Sequence, residues 1–243
     1  MGYYIDLENI SIDEYREMLK KVYLPPSRMI LKEDLEGRFN QLKSLGLSNL
    51  KQLSELLKKK NIITNLQNND CFGDNYLTIL LREINSMHPK PNKIKDFKGI
   101  DSNTAICLEK IGIKDTYKLY DRVLNKESRK ELAEITGLTI HTILELTKLA
   151  DLSRIKWVGA TFARMLYDLG VDTVEKASKA DPVNLHDQIN KYNKENGLYK
   201  GHIGLNDIKI FVDAAKEVPI EIEYDCPSTP PVCRTGRLRV TID

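Results

Sequence analysis

Three stretches of the chain repeat one arrangement of apolar and polar positions around a central glycine: "FNQLKSLGLSNL" about Gly46, "AICLEKIGIKDT" about Gly112 and "ARMLYDLGVDT" about Gly170. Each has an apolar residue four positions before the glycine (Leu42, Leu108, Leu166) and another just before it (Leu45, Ile111, Leu169). A third apolar residue follows directly (Leu47, Ile113, Val171). The spacing before the glycine puts these side chains on one face of an α-helix. The glycine fits the left-handed position that ends a helix, and Asn49, Asp115 or Asp172 fits the cap of the next one. Each pass predicts helix, tight turn, helix.

A second half accompanies each pass. "CFGDNYLTILLREI", "ITGLTIHTILELTKLADL" and "HIGLNDIKIFVDAAKEV" each join a glycine, a capping residue (Asp74, Thr139, Asn206) and an amphipathic helix. The repeat is about 60 residues long, the size of paired helical hairpins. Ser11 and Glu14 form a capping box that opens a helix running to about Val22. Breaks fall at "LPPSR", "HPKPNK" and "ADPVN". The expected molecule is all-α, built of tandem helix-hairpin-helix-like repeats. An N-terminal helix and connector (1–27) precede repeats over 28–92, 93–151 and 152–219, the third packed with the second. In the tail (220–243), "PIEIEYD" and "RTGRLRVTID" alternate in the period-two manner of strands and predict a short β-hairpin.

Composition narrows the field. With 41% apolar and 30% charged residues over 243 positions, the chain is globular and long enough for a sizeable core. Its 37 basic and 35 acidic residues leave a net charge of only +2, so phosphate binding has to come from a local patch. No apolar run approaches the roughly 20 residues of a membrane span, and the N-terminus lacks the pattern of a secretory signal. The expected location is cytoplasmic, with no membrane partner. Cys71 and Cys107 sit in helical apolar patterns; Cys226 and Cys233 bracket "CPSTPPVC", wider than C-x-x-C, where free thiols are favoured over a hairpin disulfide. His88, His141, His186 and His202 are scattered without metal-ligand spacing, and no phosphate-binding or nucleophile-elbow motif occurs. Neither a metal, a cofactor nor an enzymatic activity is expected.

The hairpin turns carry the candidate chemistry. A glycine-apolar-glycine turn exposes successive backbone N–H groups, and the next helix adds its dipole, so such a turn grips phosphate without reading bases. In the third pass the turn is Trp157-Val158-Gly159, with Ala160 and Thr161 starting the helix and Arg154, Lys156 and Arg164 as basic neighbours. In the second it is Gly99-Ile100-Asp101, preceded by Lys93, Lys95 and Lys98, with a carboxylate where a phosphate would arrive. The first pass has no such turn. Two functions fit these residues. One is sequence-independent binding of a DNA or RNA backbone at the third turn. The other is a protein-interaction scaffold of stacked hairpins with Trp157 or the C-terminal hairpin as its contact. Clustering of the basic side chains on one face favours the first; an apolar patch around Trp157 favours the second.

From "LTKLADLSRIKWVG" onward the chain resembles the domain-of-unknown-function family DUF4332. The resemblance rests on Ala150-Asp151-Leu152, Arg154-Ile155-Lys156, Val158-Gly159, Gly170 to Val174, Asn184-Leu185-His186 and Ala214-Ala215-Lys216 with Pro219. It covers roughly Leu132 to Pro219, with the earlier passes as diverged copies and the tail after Tyr224 outside it. It implies a compact helical fold of tandem helix-hairpin-helix type and DNA binding as a candidate role, with no established activity. The family's usual turn reads glycine-valine-glycine, so Trp157 is a departure.

Overall fold

Ser11 opens the first helix as its pattern demands. Its hydroxyl accepts the Glu14 N–H at 3.1 Å, and the Glu14 carboxylate accepts the Ser11 N–H at 2.8 Å. In the computed structural model, which describes residues 2–59, 61, 66, 71–73 and 75–224, the chain is mostly helical, and none of these residues forms a strand. The first half contains α1 (Ile12–Lys21), α2 (Leu35–Ser44), α3 (Leu50–Leu57) and α4 (Tyr76–Ser86), with 3-10 turns at Leu7–Asn9 and Pro26–Lys32. The second half begins with a 3-10 turn, Ile94–Asp96, then α5 (Ser102–Lys110), α6 (Thr116–Tyr120), α7 (Lys126–Thr136) and α8 (Ile140–Leu152). It continues with α9 (Ala160–Asp168), α10 (Val174–Ser178), α11 (Pro182–Asn196) and α12 (Leu205–Glu217). No helix among the described residues is long and apolar enough to cross a membrane.

The three repeat glycines do the same work in each pass. Gly46, Gly112 and Gly170 have φ of 78°, 84° and 80°, the left-handed region where a Cβ is strained. Asn49 and Asp115 cap the following helices through the Gln52 and Lys118 N–H groups. The third pass differs by one residue: Thr173, not Asp172, is the cap, accepting the Lys176 N–H at 3.2 Å. Asp172 instead turns in against the Lys148 and Lys176 ammonium groups, which a hydroxyl could not neutralise. In the second halves Thr139 caps α8 as expected. The start of α12 is Gly204, whose N–H is accepted by Asp207 at 2.9 Å, so Asn206 is an exposed residue inside the helix. Asp74 lies outside the described residues.

Two large apolar cores result, with a small third cluster of Tyr3, Tyr120 and Ile222. One joins residues from Leu7 to Met87 and includes α1; the other joins residues from Ile94 to Val218. Helix α8 is the axis of the second, packing on α6, α7, α9 and α10. It is buried on several faces, and its buried Thr147 hydroxyl is satisfied by the Ile143 carbonyl at 2.7 Å. The chain start and the segment after α12 are tied into this half. The Tyr3 hydroxyl sits 2.7 Å from Thr116 Oγ1, and the Glu223 N–H donates to the Leu124 carbonyl at 2.8 Å. Pro219 to Tyr224 forms no strand. The second arm of the expected hairpin, with Cys226 and Cys233, lies outside the described residues.

Asp172 gives this account a pH test. Burial alone would raise its pKa, but hydrogen bonds from Lys148 and Lys176 outweigh burial and hold it below the usual carboxylate value. A carboxyl held low in the fold stabilises above its unfolded pKa, and that stability is lost as pH falls through the folded pKa. Asp172→Asn is expected to cost about 1 kcal/mol at neutral pH, the scale of a partly exposed ion pair. Urea unfolding of both proteins through the carboxylate range should show the gap closing as the wild-type group protonates.

Candidate functional site

The second-pass turn is shaped around its own side chains. Gly99 has φ of 83°, and a Cβ there would come within 3.2 Å of an Arg164 guanidinium nitrogen. The fold thus brings two of the expected site residues, Gly99 and Arg164, into contact. The start of α5 is already filled. The Asp101 carboxylate accepts the N–H groups of Asn103 and Thr104 at 2.9 and 3.1 Å, and these bonds hold its pKa low. A phosphate arriving there would meet an anion in its place. Lys95 and Lys98 are exposed beside this turn.

The third-pass turn leads from α8 to α9 in seven residues. The Val158 N–H returns to the Ile155 carbonyl at 3.2 Å, and the Asn92 side-chain amide holds the Val158 carbonyl at 3.0 Å. Trp157 occupies the left-handed region, with φ of 67°. Gly159, with φ of −82°, begins α9 without a side-chain cap, and a Cβ on it would meet nothing within 4 Å. Among the described residues, the amides of Ala160, Thr161 and Phe162 have no hydrogen-bond acceptor. These are the orphan donors of a helix start.

The basic side chains expected around this turn do not gather on its surface. Arg154 is wholly buried. Its guanidinium pairs with Asp151 at 3.1 Å, donates to the Tyr3 carbonyl at 3.2 Å and lies 4.6 Å from the centre of the Tyr120 ring. Burial pushes the Asp151 pKa up despite hydrogen bonds from the Val174 N–H and Arg154. Losing one partner of a buried pair costs about 3–5 kcal/mol, which marks Arg154 as a structural cation. Lys156 is buried too, with its ammonium 3.2 Å from Glu83 and 3.6 Å from Glu217. Arg164 is held between Glu145 and Asp168, the latter at 2.7 Å. The three expected phosphate neutralisers are each matched by carboxylates of this chain.

What remains at the surface is a cleft of about 760 Å³. Gly159, Ala160 and Thr161 form one lip and Trp157 another, with Phe162, Met165, Ile203, Ile208 and Phe211 along the walls. Trp157 is 44% exposed, and its ring lies 4.9 Å from the Arg28 guanidinium carbon and 5.2 Å from the Lys156 ammonium. Arg28 also pairs with Glu83, on the oxygen that Lys156 leaves free. Tyr199 and His202 add exposed rings to the lining. Arg28, Glu83 and Glu217 were not singled out from sequence, although Glu83 left a trace. It falls on the same helical face as Tyr76, Leu80, Ile84 and Met87, an acid where the period calls for an apolar residue.

Residues 98–218 match the family model described as Domain of unknown function (DUF4332), and through them the chain belongs to that family. The match begins within the second pass, earlier than the residues that carry the resemblance in the sequence. No curated protein and no solved structure matches the chain.

The left-handed backbone at Trp157 makes two substitutions differ that would otherwise be equivalent. Trp157→Ala and Trp157→Gly both remove the ring and its cation contacts, but only glycine suits φ of 67°. The glycine variant is expected to be the more stable of the two by about 1 kcal/mol. Urea unfolding midpoints of the pair measure the difference, and equal midpoints would contradict the strained turn.

Proposed function

We propose that this member of the DUF4332 family is a non-enzymatic binding protein that takes an apolar segment of a partner protein into the Trp157 cleft. One observation carries the reading: the basic side chains around the turn are turned inward onto carboxylates, while the indole and an apolar groove stay at the surface. An exposed aromatic beside an apolar groove is the composition of a protein-docking hot spot. The groove's volume also lies in the range of about 300–1,000 Å³ typical of sites with a few convergent polar groups.

Nucleic-acid binding has one observation of its own, the uncapped start of α9, where the amides of Ala160 and Thr161 and the open space over Gly159 could receive a phosphate oxygen. Without Arg154 and Lys156 to neutralise neighbouring phosphates, the contact is short. Lys95 and Lys98 are the exposed cations that could extend it. Such a site would bind weakly and with a shallow salt dependence.

A peptide-display selection on the immobilised full chain separates the two. The docking reading expects selected peptides to share an apolar anchor. Trp157→Ala should weaken them by about 2 kcal/mol, roughly thirty-fold, as for a hot-spot aromatic. Titration with single-stranded and duplex oligonucleotides at two salt concentrations should show no specific binding. Oligonucleotide binding that Gly159→Glu abolishes, together with an empty peptide selection, would transfer the function to the phosphate site.

A further inference from the structure

Each half of the molecule has its own apolar core, and the closest helix packing stays within one half or the other. In the first, α1 packs on α2 and α3 on α4; in the second, α8 packs on its four neighbours and α12 on α10 and α11. Polar groups make several of the contacts that cross between the halves. Glu83, on α4 of the first half, takes Lys156 of the second on one carboxylate oxygen and Arg28 of its own half on the other. Glu217, on α12, approaches the same ammonium at 3.6 Å. Farther along, the Tyr23 N–H reaches the Asp213 carboxylate at 3.3 Å, and the Lys209 ammonium lies 5.0 Å from the Tyr23 ring. Tyr15 of α1 buries a hydroxyl without a hydrogen-bond partner in the field of Glu83 and Glu217.

Two clefts open along this seam. The Trp157 cleft has Pro25, Ser27 and Arg28 of the first half facing Trp157 and Phe211 of the second. A smaller cleft of about 340 Å³ sets Tyr23 of the first half opposite Lys209 and Lys216 of the second. Cores joined mainly by polar groups, with Ile5 of the chain start packed against both, and flanked by clefts have the anatomy of a hinge between domains. The energetics agree. Opening an apolar interface exposes apolar area with no return. Opening an ionic one gives desolvated charges back to water, which offsets much of the lost pairing.

We infer that the Trp157 cleft is an inter-body site of variable width, in which the buried carboxylate of Glu83 is the positioning residue that holds the two walls together. Arg28 and Lys156 reach that carboxylate from opposite halves, and both lie against the same indole. Separation of the halves therefore draws Arg28 off Trp157 while Lys156 stays beside it. The inference adds a moving wall to the proposed docking site and says nothing of its occupant. Its test needs no ligand, and its failure leaves the docking reading standing.

The test follows Glu83→Gln and Lys156→Met in the full chain by hydrogen–deuterium exchange. Quenching of the single tryptophan and the radius of gyration from small-angle scattering are measured alongside. Both variants should raise acrylamide quenching, red-shift the emission and enlarge the radius of gyration. They should also speed amide exchange at Tyr23, on the seam but outside the Trp157 cleft, while exchange within α2 and α8 keeps its wild-type rate. The Tyr23 amide is the decisive readout, because local loss of a cation over the indole would alter the fluorescence alone. If Glu83→Gln unfolds, shown by fast exchange in α8, Lys156→Met decides, since it breaks the cross-half pair while Arg28 still partners Glu83. A folded variant with wild-type exchange at Tyr23 and an unchanged radius of gyration overturns the inference.

Discussion

A lysine ammonium removed from water has to keep its carboxylates, and that constraint on Lys156 organises the structure around it. Leaving a buried ion without a partner costs several kcal/mol, so Lys156, Glu83, Glu217 and Arg28 hold their places together. Because Lys156 points inward in a seven-residue connection, the next residue is directed out, and Trp157 takes a left-handed backbone to let Val158 turn back into the core. The start of α9, and with it the lip of the cleft, is set by the same inward turn. Arg154 applies the same rule one step earlier, fastening Asp151, the chain start at Tyr3 and Glu221 around a guanidinium that water does not reach.

The helical architecture was legible because it rests on period and punctuation. Apolar residues four apart, a glycine, and a short polar cap are local signals, and the structure gives Gly46, Gly112 and Gly170 the left-handed backbone those signals imply. The caps were legible to within a residue or two, since Thr173 and Asp172 are both competent and only the positions of Lys148 and Lys176 decide between them. The direction of the charges was not legible. Arg154 and Lys156 lie in a turn with no period, so nothing in their spacing says which way they face, and a basic run reads as a surface patch until its carboxylates are found. Asp151 lies only three residues before Arg154, but the other carboxylates come from far along the chain, Glu83 from another repeat and Glu221 from beyond the last helix. Of these, only Glu83 left a local signal, as an acid on an apolar helical face, and it was not singled out from sequence.

The near-balance of charge acquires a structural meaning here. A net charge of +2 is compatible with a strong local patch, but each of the cations nearest the third turn is matched by acids within 4 Å: Arg154 by Asp151 and Glu221, Lys156 by Glu83 and Glu217, Arg164 by Glu145 and Asp168. The turn thereby leaves its helix start without the positive field that anion binding needs. Asp101 does the same for the second turn by occupying its helix start.

Stability alone does not account for Trp157. A bulky residue in the left-handed region costs about 1–2 kcal/mol. Its two cation contacts, at 4.9 and 5.2 Å, return about 0.5–1 kcal/mol each at a partly exposed site. These two terms nearly cancel, which leaves the buried part of the residue as its net contribution, and glycine would meet the same backbone demand with no strain. Nearly half of the ring nonetheless stays in water at the lip of an apolar cleft. Apolar surface of that kind contributes about 25 cal/mol per Å² only when something covers it. Under the proposed docking role the indole is the surface a partner covers, whereas the backbone turn by itself needs only glycine.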